Sequence, residues 1–127
     1  MSKKLNQILA EISAGELLDK ITILEIKREK ITDSEKLKNI NKELSSLTKT
    51  SDEKIPDKKR IENLVSDLKK INLKLWDIEE NKRRAEKEKK FDETFIQLSR
   101  DVYKSNDERA KIKLKINDIL GSNIKEG

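Results

Sequence analysis

Cysteine and histidine are both missing from this 127-residue chain, and the two absences remove much of the chemistry open to a small protein. Without cysteine there is no disulfide, no thiolate nucleophile and no cysteine-held zinc, and nothing points to an oxidising compartment. Without histidine the ordinary near-neutral general base is gone, as are the imidazole ligands of most zinc and di-iron bundle sites. Metal chemistry would have to be all-carboxylate, and the expectation is no metal and no cofactor. Aromatic residues make up 3% of the chain and hydrophobic residues 33%, too little for a wide globular core but enough for a thin seam between helices. The single proline and the three glycines, at Pro56, Gly15, Gly121 and Gly127, lie outside the strongest apolar ladders and act as punctuation. Long hydrophobic runs are also lacking. Lys3 and Lys4 precede an apolar stretch broken by Asn6, Gln7 and Glu11, giving neither a signal core nor a transmembrane segment, so a soluble cytoplasmic protein is expected.

Charge is what the chain has in abundance. Charged residues reach 43%, but 30 cations nearly cancel 25 anions, which disfavours the self-repulsion of disordered chains. Mixed charge with helical periodicity favours long solvated helices in one domain. Lysine outnumbers arginine 24 to 6, the usage of an AT-rich bacterial genome.

The clearest pattern is the ladder Ile61, Leu64, Leu68, Ile71, Leu75 and Ile78, whose steps of three and four mark a helix with one buried seam. Helix 3 is predicted over about 57–89, some 50 Å long at roughly 1.5 Å per residue. A short turn at 90–92 then leads to helix 4 over about 93–120, with Gly121 placed to close it in the left-handed conformation. Upstream, Ser13 and Glu16 form a capping box for helix 1, about 14–31. Leu17, Ile21, Leu24 and Ile31 make one stripe of it, while Ile23 and Ile26 face the other way. A helix apolar on two faces is central, or shared with a partner. Helix 2, about 33–49, carries Leu37, Ile40, Leu44 and Leu47, and the spacing allows either a break at Asp33 or one bent helix. Residues 48–56 read as a loop, and Leu5, Ile8, Leu9 and Ile12 as one face of a possible short helix. The fold class is therefore all-α: an antiparallel bundle built on a helix 3/helix 4 hairpin, with helices 1 and 2 packed along it.

Helix 4 repeats the seam spacing but carries Ser105 and Arg109 where apolar residues belong. In an antiparallel hairpin turning near residue 90, positions summing to about 181 lie level, which sets residues 76–79 beside 102–106 and Arg109 beside Asn72. A guanidinium on the seam needs an acceptor, because an unpaired buried charge costs several kcal/mol, on the order of a broken buried pair. Asp77, Glu79, Asp19 and Glu25 are the plausible partners, and Trp76 would supply a rigid wall and one N–H donor. The candidate polar cluster comprises Asp19, Lys20, Glu25, Trp76, Asp77, Glu79, Arg100, Asn106, Asp107 and Arg109. It admits three readings: a register-fixing polar contact, a small polar pocket, or an arginine that snorkels to solvent.

At these residues the chain resembles a family of short uncharacterised bacterial helical proteins. The resemblance is carried by the block Gly15-Glu16-Leu17-Leu18-Asp19-Lys20-Ile21-Thr22-Ile23-Leu24-Glu25-Ile26-Lys27, by Leu75-Trp76-Asp77-Ile78-Glu79 and by Asn106-Asp107-Glu108-Arg109-Ala110. It continues through Phe91, Phe95-Ile96, Arg100, Val102-Tyr103, Ile116-Asn117 and Gly121-Ser122. It implies a domain of unknown function and transfers no catalytic role, only the expectation that the three polar blocks belong together. Ser34 stands where the family often has proline, which weakens the case for a sharp break there.

Three function classes remain. The first is a non-enzymatic interaction or scaffold module, a homodimer or a binder of another protein, using the second face of helix 1 or the ladder of helix 2. The second is a small helical enzyme or anionic-ligand-binding bundle in which Lys20, Lys27, Arg28, Arg100 and Arg109 supply cations and Asp77 or Glu79 a carboxylate. Chorismate mutases work in this style, but their order and spacing are not matched here. The third is nucleic-acid binding, prompted by a pI near 9.3 and the basic run at residues 82–90. That run is interleaved with Glu79, Glu80, Glu86 and Glu88 and lacks stacking aromatics, which argues against it. No glycine-rich phosphate loop or EF-hand occurs.

Overall fold

The computed structural model describes residues 4–125. Its helices are α1 (Ala14–Lys30), α2 (Ser34–Lys54), α3 (Glu62–Lys87) and α4 (Glu93–Leu120), with a 3₁₀ turn at Lys59–Ile61 leading into α3. The architecture is the all-α antiparallel bundle that the periodicity predicts. α3 and α4 form the long hairpin, α1 packs on both, and α2 lies outermost with its helix-to-helix contacts on α1. Layering divides the Leu17–Leu24 stripe of α1 between two cores. Leu17 and Leu18 join Ile61, Leu68 and Ile116 in one core cluster, whereas Leu24 joins Ile40 and Leu44 of α2 in a second. Burying each such side chain stabilises the fold by about 1.5–3 kcal/mol. The ladder of α2 is thus in use within the chain, while on the second face of α1 Ile26 is buried and Ile23 is half-buried at the edge of a groove.

The break between α1 and α2 is real, and the two form a hairpin rather than one bent helix. Ile31 leaves the helix at φ −89°, ψ 135°, and the Asp33 carboxylate accepts from the Lys36 N–H as the cap of α2. Three boundaries differ from the periodicity. α2 continues through residues 48–54 instead of becoming a loop, since nothing there breaks a helix until Ile55, which precedes Pro56 and leaves the helical region at φ −121°, ψ 86°. The 3₁₀ turn delays α3 to Glu62. Residues 5–12 form no helix, although Leu5, Ile8 and Leu9 keep helical spacing, and these three are 84%, 79% and 81% exposed. So short a stretch with nothing to pack on cannot offset the cost of helix nucleation.

α3 ends in a Schellman motif, with Lys89 N–H donating to Glu86 O and Lys90 N–H to Ala85 O. Lys89 therefore sits at φ 55°, a left-handed conformation that glycine adopts without penalty. Lys89→Gly is expected to raise stability by about 1 kcal/mol, the order of the left-handed penalty of an L-residue, measured by urea denaturation. α4 opens on Asp92, whose Oδ1 accepts from the Thr94 and Phe95 N–H groups, and closes with Gly121 at φ 63°.

Candidate functional site

The seam anomaly resolves on α1. Asp19 is fully buried, and Arg109 straddles its carboxylate, donating from Nε to Oδ1 at 3.0 Å and from Nη2 to Oδ2. Asn72 of α3 donates from Nδ2 to the same Oδ1 at 2.9 Å and to Thr22 Oγ1 at 2.9 Å, while the Thr22 hydroxyl donates to the Asp19 carbonyl at 2.8 Å. Lys113 Nζ lies 3.8 Å from Asp19 and 2.5 Å from Glu16. One carboxylate thereby joins three helices. Burial alone would push the Asp19 carboxyl up, but the hydrogen bonds from Arg109 and Asn72 and the charges of Arg109 and Lys113 outweigh it and hold the group below its ordinary value. Arg109 is raised in turn, chiefly by its hydrogen bond to Asp19 and against its own burial.

The N-terminus of α1 is locked one turn away. A helix leaves its first N–H groups without intrahelical acceptors. Here Ala14 N–H donates to Ser122 Oγ at 3.1 Å, Gly15 N–H to Asn117 Oδ1 at 2.7 Å and Glu16 N–H to Ser13 Oγ at 3.1 Å. With these donors engaged, the helix end is no anion site. α1 approaches so closely that a Cβ on Gly15 would stand 2.6 Å from the Lys113 carbonyl oxygen and 3.0 Å from Asn117 Oδ1.

Of the residues singled out from sequence, Asp19 and Arg109 meet directly, and Asn106 sits at the margin, its Oδ1 accepting from Arg109 Nη1 at a long 3.4 Å. Trp76 and Glu79 share a solvent-open groove of about 190 Å³ with Arg109, Asn72, Ile23 and Ile26. The other proposed partners of Arg109 do not reach it. Asp77 is exposed, because its helical position turns it off the seam; Glu25 lies 3.8 Å from Lys69; and Glu79 is half-buried without a polar partner among the described residues. Lys20 stands 4.0 Å from Glu16 at the surface, Asp107 is exposed, and Arg100 lines a separate shallow depression with Ile96 and Tyr103. Sequence reasoning passed over Asn72, Thr22, Lys113, Glu16, Asn117 and Ser122. Asn72 had a signal as the residue level with Arg109, and Glu16, Thr22, Asn117 and Ser122 lie within the blocks of the family resemblance.

Ser105 is 1% exposed, and its hydroxyl has no hydrogen-bond partner. It occupies a seam position level with Trp76. Burying a hydroxyl without a partner is unfavourable, so Ser105→Ala is expected to leave stability unchanged or raise it by about 1 kcal/mol, read as the shift in a urea midpoint. A clear loss would show that the hydroxyl has a polar partner in solution.

Among the described residues, no group of three or more acidic side chains is arranged to hold a metal ion, and no helix is long and apolar enough to cross a membrane. None of the curated proteins and none of the solved structures matches this chain. One family model does match, over residues 8–126, and this span takes in α1 to α4, the Asp19–Arg109 pair and the groove beside Trp76. The chain belongs to that family, a family of unknown function (DUF6165).

Proposed function

We propose that this chain is a non-enzymatic interaction module of the bacterial cytoplasm that works as a homodimer. The observation that carries the reading is the apolar surface left on residues 5–9. Leu5, Ile8 and Leu9 are about four-fifths exposed and keep the spacing of an amphipathic helix, yet nothing among the described residues of their own chain covers them. A second copy supplies a surface on which this segment can become helical, and the two-fold exchange closes without leaving an open end. The bacterial assignment is supported by lysine-rich composition, the cytoplasmic one by the absence of cysteine. Nucleic acid is a poor partner for the basic helix end, whose arginine and lysine charges are interleaved with acids; Arg83, for one, pairs with Glu80 at 2.6 Å.

Sedimentation velocity at tens of micromolar tests the proposal. A dimer that the combined Leu5→Ser, Ile8→Ser and Leu9→Ser variant converts to monomer supports it. A strict monomer, or a dimer indifferent to the triple variant, overturns it. The other reading, an anionic-ligand bundle using Trp76 and Arg109, is weakened for a simple anion, because Asp19 takes two of the Arg109 donors and the Glu79 carboxylate lines the same groove.

A further inference from the structure

We infer that the groove beside Trp76 binds a small zwitterion of the amino-acid class, with its carboxylate on Arg109, its ammonium on Glu79 and its apolar body against the indole. This site is independent of the dimer reading. It rests on three groups that the fold brings to one groove, two without polar partners and one, Arg109, with part of its guanidinium unused. Arg109 has five N–H donors. Two are taken by Asp19 and one reaches Asn106 only at 3.4 Å, which leaves an edge of the guanidinium for a further acceptor. Glu79 has no polar partner among the described residues, and neither does the Trp76 indole N–H. By contrast Arg83, on the same rim, is held by Glu80.

The signs of these charges select the ligand. A simple anion would meet Glu79, and a simple cation would meet the free edge of Arg109. A molecule carrying both charges satisfies each. The geometry agrees. Arg109 is level with Asn72, and Glu79 stands seven residues further along α3, about 10 Å at 1.5 Å per residue. Long helical side chains lean toward the N-terminus of their own helix. Because α3 and α4 are antiparallel, Glu79 and Arg109 lean toward each other and converge at the level of Trp76. Ile23 and Ile26 complete an apolar wall opposite the indole. A volume of about 190 Å³ lies below the roughly 300–1,000 Å³ of sites for drug-sized ligands, as suits a molecule of amino-acid size.

Trp76 is the only tryptophan in the chain, so indole emission, excited at the red edge where Tyr103 does not absorb, reports this groove. Titration of the intact protein with L-leucine and with 4-aminobutanoate, which space the two charges differently, is expected to give a saturable emission shift with at least one of them. If leucine binds, leucinamide and N-acetylleucine, which each lack one charge, should bind about tenfold more weakly or worse. If 4-aminobutanoate binds, its amide and its N-acetyl form should do the same. Glu79→Gln should weaken the binding by a similar factor while leaving the thermal midpoint unchanged, since Glu79 holds no other group. No saturable change with either ligand up to about 10 mM, a range in which binding would be too weak to matter, overturns the inference. So does undiminished binding of the singly charged analogues, or of the zwitterion to Glu79→Gln.

Discussion

Replacing Arg109 with leucine is expected to cost about 3–5 kcal/mol of folding stability, the usual penalty for removing one partner of a buried ion pair. The loss comes less from the attraction removed than from the carboxylate left behind. Asp19 is fully buried, and without Arg109 it keeps only the Asn72 amide and a Lys113 ammonium 3.8 Å away that is already committed to Glu16. The double variant Asp19→Asn, Arg109→Leu should recover much of the loss, because a neutral amide can still accept from Asn72 and no charge is stranded. Urea denaturation of both single variants and the double variant gives the coupling energy directly. If Arg109→Leu were as stable as the parent, the guanidinium would be solvated in solution and the pair would contribute nothing to the fold. The same pair sets an acid response. The folded Asp19 carboxyl lies below its ordinary value, so its stabilisation is complete above the unfolded value of about 4 and is lost as pH falls through the folded one. Arg109→Leu should flatten this part of the stability profile.

Gly15→Ala is expected to destabilise by about 3 kcal/mol, at the upper end of ordinary overpacking costs. The added methyl would stand 2.6 Å from a backbone oxygen, Lys113 O, which cannot rotate away as a side chain can. α1 would have to lift from α4, stretching the 2.7 Å bond from Gly15 N–H to Asn117 Oδ1 and loosening the Asp19 network one turn further on. Gly121→Ala is the matched control. Its Cβ would meet nothing within 4 Å, so only the left-handed φ of 63° is penalised, by about 1 kcal/mol. The two melts should therefore differ by roughly 2 kcal/mol, about one and a half decades in the folding constant. Equal losses would mean that α1 and α4 can separate freely at this end.

The helices were legible because their information is local. Ile61, Leu68 and Ile78 report a seam through steps of three and four, Ser13 and Asp33 cap helix starts, and Gly121 marks an end, each within a turn or two of chain. The end of α2 is not legible in this way, because polar residues at 48–54 resemble a loop but contain nothing that prevents a helix. The level relation of α3 and α4 also followed from sequence, since a short turn leaves an antiparallel pair only one alignment, and residues 72 and 109 do meet, on a shared acceptor.

What the sequence could not specify was the acceptor. Asp77 and Glu79 lie near Arg109 along the hairpin, yet the charge it binds comes from Asp19, 90 positions earlier in the chain. That choice depends on how far α1 slides along α3 and α4 and how it is rotated. Both are set by the contact of Gly15 with Lys113 and Asn117 and by the packing of Leu17 and Leu18 against Ile61, Leu68 and Ile116. Helical periodicity repeats every turn and is indifferent to sliding by one. The sequence by itself determined an all-α hairpin with a polar interruption at Arg109. Only the close approach of a third helix decided which carboxylate is buried there, and which, at Glu79, is left facing the groove.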